Sequence, residues 1–393
     1  MAVHTTHNRN RRAFLYGLCA LIVLTLVLAR IEGVSIMGHA DYDSYTLQAL
    51  AWREGRADLG LDYEHLELAE YEGKYYVSFP PFPSVVMLPL TFLFGSQTPD
   101  TLVMLLLFLG SYCAAYILAR RCKVDAKSSA LWSVFLVCGS SYLDISLYGW
   151  VWYLAQSMSF LLTLLFIIGI TSDKRTAQSF GLIALALAIG CRPFQAVYLP
   201  FALYAIIKKN KEKGQGLKKL IPMLLVPALI AIAYGAYNFL RFDNPLEFGH
   251  NYLPEFTNAA NGQFHISYIV ENLKNILRLP TIENGTLSVP KFDGFAFYIA
   301  NPICILLVIR LLRSEKMQKE DAILLLSLLA HFCFLLMHKS FGGWQFGTRY
   351  MCDVLPVVFY LCVKRAKRTT AYEKAIMFMG IGVNVLGTVW FRQ

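Results

Sequence analysis

The sequence predicts an all-α, polytopic integral membrane protein with about 11–12 transmembrane helices and short amphipathic helices in its first outer loop. Three observations carry this expectation. Of the 393 residues, 56% are hydrophobic and only 16% are charged, far from the balance of a soluble domain. Apolar runs recur along the whole length. Lys and Arg collect in short connectors, whereas acids, aromatics, Asn, His and Gly collect in three longer stretches.

The first apolar run, Ala13–Ile31, follows the basic head Asn8–Arg12. No small-x-small cleavage site follows it, and it is about as long as a full span, so it reads as an uncleaved helix rather than a leader peptide. Further spans are expected at 101–119, 129–147, 156–171, 177–191, 193–207, 220–240, 294–312, 321–338, 350–363 and 373–391. The segment 83–95 is short and carries Pro83 and Pro89, so it reads as a span or as a re-entrant piece.

The basic clusters Arg9–Arg12, Arg120–Lys127, Lys174–Arg175, Lys208–Lys219, Arg310–Lys319 and Lys364–Arg368 are expected in the cytoplasm, with the N-terminus. That leaves 32–80, 241–293 and 339–349 on the outer face of a cell membrane. Were 83–95 to span, Arg120–Lys127 would lie outside instead. Residues 1–393 read as a single transmembrane unit without separate soluble domains. The net charge of +10 follows from the basic inner loops and does not point to nucleic acid; membrane lipid is the expected surroundings. The nine Cys fall mostly inside apolar runs, without C-x-x-C or metal spacing, and no disulfide framework is expected.

The first outer stretch opens with His39-Ala-Asp-Tyr-Asp-Ser44. Leu47, Leu50 and Ala51 share one helical face, Asp43 or Ser44 is a good N-cap, and Gly55 is a good stop, so a short helix is expected along the membrane surface. Trp52 suits the headgroup level. Asp43 then reads as a cap or as a functional acid, and Asp41 as a solvated loop acid or as a functional one. Farther on, Tyr75 and Tyr76 precede Pro80-Pro81-x-Pro83, a rigid joint that launches the next apolar segment. Two carboxylates are too few to hold a cation, and no His pair or Cys set lies nearby, so neither metal nor cofactor is predicted; a divalent cation at Asp41/Asp43 is the alternative. Asn284-Gly-Thr286 matches a glycosylation acceptor, a pattern short enough to arise by chance.

This order of one helix, an outer acid, a surface helix closed by Gly, a Tyr-rich loop and a Pro-Pro launch resembles the GT-C glycosyltransferases that use polyprenyl-phosphate sugars. Within them it is most similar to the bacterial protein-mannosyltransferase and aminoarabinose-transferase-like group (family 39-like). The resemblance matches an acid followed four residues later by Tyr to Asp41 and Tyr45, and an Arg-Pro at a membrane break to Arg192 and Pro193. It also matches an aromatic, Gly-rich segment to 341–356 and a further segment to 237–252. The family often has Glu directly after the first acid. Here Tyr42 stands there and Asp43 follows, which leaves the choice between Asp41 and Asp43 open.

The resemblance implies transfer of a sugar from a polyprenyl-phosphate donor to an acceptor hydroxyl on a glycan, lipid or protein at the outer face. Such a transfer needs a base acting as the new bond forms, worth roughly 10²–10⁴-fold. Direct attack inverts the anomeric centre and needs one base, assigned to Asp41, with Asp43 as positioning partner or alternative. The leaving phosphate needs a guanidinium, for which Arg192, Arg349 and, more weakly, Arg241 are candidates. Each Arg also reads as ordinary interfacial snorkelling. Trp344, Tyr75 and Tyr76 suit stacking on a sugar or an interfacial aromatic belt, Tyr45 is carried over as a substrate contact, and His65 and Glu67 suit acceptor contacts. The competing class is a polytopic transporter or lipid-linked-sugar flippase, and a scaffold without chemistry is a third. Transporters place ionisable groups in mid-membrane, whereas these acids lie in loops.

Overall fold

The computed structural model describes residues 2–283, 286–313, 317–365 and 368–392. In order, its elements are α1 (Ala2–Ile31), α2 (Ser44–Arg53), the hairpin β1 (Leu68–Tyr71) and β2 (Lys74–Val77), α3 (Phe82–Phe94), α4 (Asp100–Arg121), α5 (Ala126–Cys138), α6 (Tyr142–Ile145) and α7 (Val151–Ile170). Then come α8 (Arg175–Ile189), α9 (Leu199–Glu212), α10 (Ile221–Phe242), α11 (Pro254–Thr257), α12 (Tyr268–Leu277), and β3 (Thr281–Glu283) paired with β4 (Thr286–Ser288). The chain closes with α13 (Phe297–Ala300), α14 (Ile303–Arg313), α15 (Lys319–Leu336), α16 (Leu355–Lys364) and α17 (Ala371–Arg392). Asn284 and Gly285 of the glycosylation pattern lie outside the described residues.

The all-α expectation holds. Among the described residues, five helical stretches are long and apolar enough to cross a bilayer: Arg11–Ile31, Asp100–Arg121, Val151–Ile170, Leu217–Phe242 and Ala371–Phe391. Shorter apolar helices cover Phe82–Gln97, Ala126–Cys138, Arg175–Ile189 and Leu355–Lys364. The expected run 129–147 breaks after Cys138: Gly139, Ser140 and Ser141 separate α5 from the single turn α6. Likewise 193–207 opens as a tight 3₁₀ segment at Pro193–Tyr198 before α9, and Pro200, which cannot donate to the carbonyl four residues back, marks the join.

Of the five spans α7 is the most enclosed and α10 the least. The reason α7 can be central is visible at Gly169. A Cβ built there would lie 2.5 Å from the Cα of Gly181 on α8, and one built on Gly181 would lie 2.9 Å from the nitrogen of Ile170. Without a hydrophobic drive between helices in lipid, such backbone-to-backbone contact is what small residues make available.

The bundle has two chemically distinct ends. At one, the basic connectors meet helix termini: Arg121 Nη1 donates to Ile168 O at 2.6 Å, Lys209 Nζ to Thr171 O at 2.6 Å, and Lys364 pairs with Asp321 at 2.5 Å. Arg310 and Glu373 form a buried pair at 2.7 Å near this end. At the other end gather 32–80, 241–293 and 339–349. Both termini of α3 lie at this loop end. Phe82 N–H donates to Gly190 O at the close of α8, and Asp100, a few residues past α3, accepts the N–H of Ala40 at 3.2 Å. Helix α3 packs on α2, where Arg53 Nη1 donates to Thr91 O at 2.6 Å. Segment 83–95 therefore returns to the end it started from.

Gly169→Ala should lower the thermal stability of the detergent-solubilised protein by about 1–3 kcal/mol, because the clash is with backbone and has no side chain to move. Gly382→Ala on α17, which meets nothing within 4 Å, is the control and should be neutral or slightly stabilising.

Candidate active site

The first loop builds one wall. Helix α2 spans Ser44–Arg53 and stops at Gly55 with φ +74°, as its cap and stop residues predict. Asp43 occupies the N-cap position, but its side chain makes no capping bond. Its Oδ2 lies 3.9 Å from His39 Nδ1, and burial pushes the carboxyl up to about 6 despite the lowering influence of His39. Asp41 is exposed, and its backbone carbonyl lies 3.2 Å from His65 Nε2. The Tyr42 ring packs 5.0 Å from Trp152, and its carbonyl accepts the N–H of Val151, the first residue of α7.

Trp152 connects this wall to the interior. Its indole N–H donates to Glu67 Oε2 at 2.9 Å. Burial raises the Glu67 carboxyl above the usual range, while the indole bond and the charge of Arg349 act in the opposite direction.

The third loop builds the facing wall. Arg349 is 5% exposed. Its Nη1 donates to Gln156 Oε1 at 3.1 Å, and Gln156 Nε2 donates back to Arg349 O at 3.3 Å. Its Nε has no hydrogen-bond partner, and Gly342, at φ +78°, leaves room for the guanidinium; a Cβ there would lie 2.5 Å from Nη2. Arg192 is paired differently. Its Nε and Nη2 both donate to Asp353 Oδ2, at 2.8 and 2.7 Å. The two guanidinium carbons flank the ring of Tyr350, at 5.1 Å for Arg192 and 4.8 Å for Arg349.

Two cavities meet here and share Trp152, His250, His338 and Tyr350 as lining. The first, of 290 Å³, holds Arg192 among Phe79, Phe194, Phe248, Phe264, Leu246 and Leu335. The second, of 640 Å³, is polar and holds Glu67, Arg349, Lys339, Glu255, Glu271, Asp293 and Trp344. The shared histidines are neutral. His338 is pushed down to about 3 by burial and by His250, and burial lowers His250 as well. Among the described residues no group of three His, Cys, Asp or Glu side chains is placed to hold a metal ion.

The structure thus brings Arg192, Arg349 and Trp344 together. Tyr45 is buried close enough to Arg192 to feel its charge. Asp41, Asp43 and His65 form a cluster one aromatic layer away, behind Tyr42 and Trp152, and line neither cavity. Tyr75, Tyr76 and Arg241 also line neither. Arg241 donates to Val77 O at 2.8 Å and Asn238 Oδ1 at 2.9 Å and stacks on Tyr237 and Phe242, so it fastens the hairpin to α10. Trp52 donates to the Tyr237 hydroxyl at 3.0 Å and is part of the same joint. Sequence reasoning missed Asp353, Gln156, Trp152, His250, His338 and Tyr350. The aromatic run Tyr148-Gly-Trp-Val-Trp-Tyr153 at the head of a span, and His250 within the segment 237–252, were the available signals.

No family model matches the sequence, and no curated protein matches it. Solved structures do match in fold. ArnT from Cupriavidus metallidurans bound to undecaprenyl phosphate superposes with TM-score 0.56 at 14% identity over 93% of this chain. The Archaeoglobus fulgidus oligosaccharyltransferase in its apo form gives 0.51 at 12% identity over 96% of this chain. This chain spans 62% of the length of the first and 55% of the second. The fold is GT-C-like, and the protein is a membrane protein.

Two outcomes test the site's electrostatics. Asp353→Ala removes the buried partner of the half-buried Arg192 guanidinium and should cost about 1–3 kcal/mol in thermal or denaturant unfolding. For Asp43, the folded carboxyl near 6 lies above the unfolded value of 3.8, so the folded state holds the proton more tightly. The Asp43 contribution should therefore fall as pH rises from about 4 to about 6, by about 2–3 kcal/mol, and Asp43→Asn should make the measured stability profile shallower by that amount. Thermal melts of both proteins across this range are the measurement.

Proposed function

We propose that the protein is an integral-membrane glycosyltransferase that moves a sugar from a polyprenyl-phosphate donor to an acceptor hydroxyl at the outer face, with inversion. The observation that carries this is the pair of adjoining cavities. One is apolar with an arginine inside, and its neighbour is polar with a carboxylate and a second arginine. A lipid phosphate has this division built into it: a hydrocarbon tail, an anion at the junction, and a polar head beyond. The fold likeness to ArnT bound to undecaprenyl phosphate supports the same reading. The basic connectors at one end of the bundle support placing the loop end outside.

The roles follow from chemistry. Arg349 is held by the Gln156 amide and lines the polar cavity, so its charge is the one offered to the leaving phosphate, with Arg192 beside it and held by Asp353. Glu67 lines the polar cavity, and we assign it the proton of the attacking hydroxyl; its raised pKa suits a base that acts during bond formation. This moves the base from Asp41, the sequence-based choice, to Glu67, the one of the cavity's four acids that is hydrogen-bonded to Trp152 and feels the charge of Arg349. Asp43 and Asp41 then support the first-loop wall. Trp344 and the carboxylates of the polar cavity face the sugar and acceptor, which is a glycan, lipid or protein hydroxyl. No divalent cation enters the proposal.

Transfer from a panel of radiolabelled polyprenyl-phosphate sugars, in membranes carrying each variant at matched folded levels, tests this. Glu67→Gln should lower transfer by roughly 10²-fold or more, Arg349→Ala should do likewise, and Asp41→Asn should leave most activity. Loss in Asp41→Asn or Asp43→Asn with Glu67→Gln still active would put the base in the 41–43 pair. Movement of a lipid-linked sugar across the membrane with no glycosidic product from the wild type would replace the transferase reading with a flippase.

A further inference from the structure

Helix α12 in the second loop meets three different surroundings. Asn272 and Ile276 are buried, and Asn272 Nδ2 donates to Leu336 O at 2.9 Å and His338 O at 2.6 Å. Those are carbonyls at the C-terminal end of α15, so this bond fixes α12 to the bundle. Tyr268, Glu271 and Asn275 line the polar cavity. On the opposite side Ile266, Val270, Leu273 and Leu277 are 68, 62, 38 and 44% exposed. Helical spacing puts Val270, Leu273 and Leu277 within an arc of about 60°, across from the cavity-lining residues, and Ile266 sits in the turn that leads into the helix.

We propose that this apolar stripe is seated among the acyl chains of the adjacent membrane leaflet. Helix α12 is then an interfacial helix whose opposite face forms a wall of the polar cavity. A contiguous stripe of branched aliphatic side chains is not a surface that stays in water when a bilayer is at hand. The protein's own spans fix that bilayer beside it. Two further observations favour lipid over other occupants. Lys274 is exposed beside the stripe, where a headgroup phosphate would lie. Phe264, two residues before Ile266, is 41% exposed and lines the apolar cavity, where Leu246 is 84% exposed. Along the chain the stripe thus adjoins the surface by which a lipid tail would reach Arg192. The inference stands whether or not the transferase reading holds, because it concerns where the helix sits.

The full chain, with the exposed Cys19 and Cys333 changed to Ser, is labelled with a nitroxide at Val270→Cys, Leu273→Cys or Lys274→Cys. Each is reconstituted in vesicles of phosphatidylethanolamine and phosphatidylglycerol. Collision with oxygen is compared with collision with a water-soluble nickel chelate. The expected result is an oxygen-to-nickel ratio several-fold higher at positions 270 and 273 than at 274. Equal ratios at all three positions would place the stripe in water and overturn the proposal. Shielding of 270 and 273 from both reagents, with spin–spin broadening between copies, would overturn it in favour of a dimer contact. Using two stripe positions keeps the outcome readable if one label perturbs the helix.

Discussion

The arrangement at the loop end depends on how α7 begins. Within its first six residues, Val151 donates to Tyr42, Trp152 donates to Glu67, and Gln156 exchanges two hydrogen bonds with Arg349. Residues from the first and third loops, hundreds of positions apart, are held by one turn and a half of a single helix. That helix is in turn locked by backbone contact with α8 at Gly169 and Gly181. A constellation carried by a buried helix keeps its geometry in a way that loops alone do not. The loops contribute the charged groups, and α7 contributes their spacing.

The charges at the junction are unequal although two arginines are present. Arg192 spends its Nε and one Nη on Asp353, so the pair is close to neutral as seen from the cavity. His250 and His338 add nothing at neutral pH, since burial holds both in the uncharged form. Arg349, 5% exposed, donates to the Gln156 amide and lies over the rings of Tyr153 and Tyr350, and its charge is felt at Glu67 across the polar cavity. In the proposed reaction a phosphate arriving beside Glu67 would raise its carboxyl further and strengthen it as a proton acceptor.

The membrane fold was legible because both of its signals are local: apolar runs make spans, and Lys and Arg mark the connectors between them. Helix α2 was legible for the same reason, from Ser44 through Gly55. The roles of individual acids were not, because burial is non-local. Asp43 has the sequence position of a cap, yet its carboxylate turns toward His39 instead. Nothing adjacent to Glu67 marks it; the residue that matters, Trp152, lies 85 positions away. The pairing of Arg192 with Asp353 bridges 161 positions, and in the sequence Asp353 reads as one more residue before a helix. Arg241 shows the converse. Its chemistry matched a phosphate ligand, but its two terminal nitrogens are bonded to the hairpin and to Asn238 and it lines neither cavity.

The backbone around Trp344 adds an independent reason to read this end as a working surface. Gly342, Trp344 and Gly347 all have positive φ, at 78°, 52° and 77°. Glycine adopts that region freely, whereas a tryptophan there costs on the order of 1 kcal/mol or more. The strain is held from several sides. The Tyr153 hydroxyl donates to Trp344 O, Trp344 N–H donates to Lys291 O at 2.8 Å, and Asp293 N–H donates to Gly342 O at 2.8 Å. Asp293 itself has φ 62°. Two loops therefore keep each other in disfavoured conformations, with the result that an indole lies 44% exposed at the polar cavity. At the rim the ring packs edge-on to Phe292 and beneath the Lys291 ammonium. In the proposed reaction a flat aromatic face held open beside carboxylates would serve as a platform for the apolar face of a sugar ring, which would give the strain at Trp344 a use.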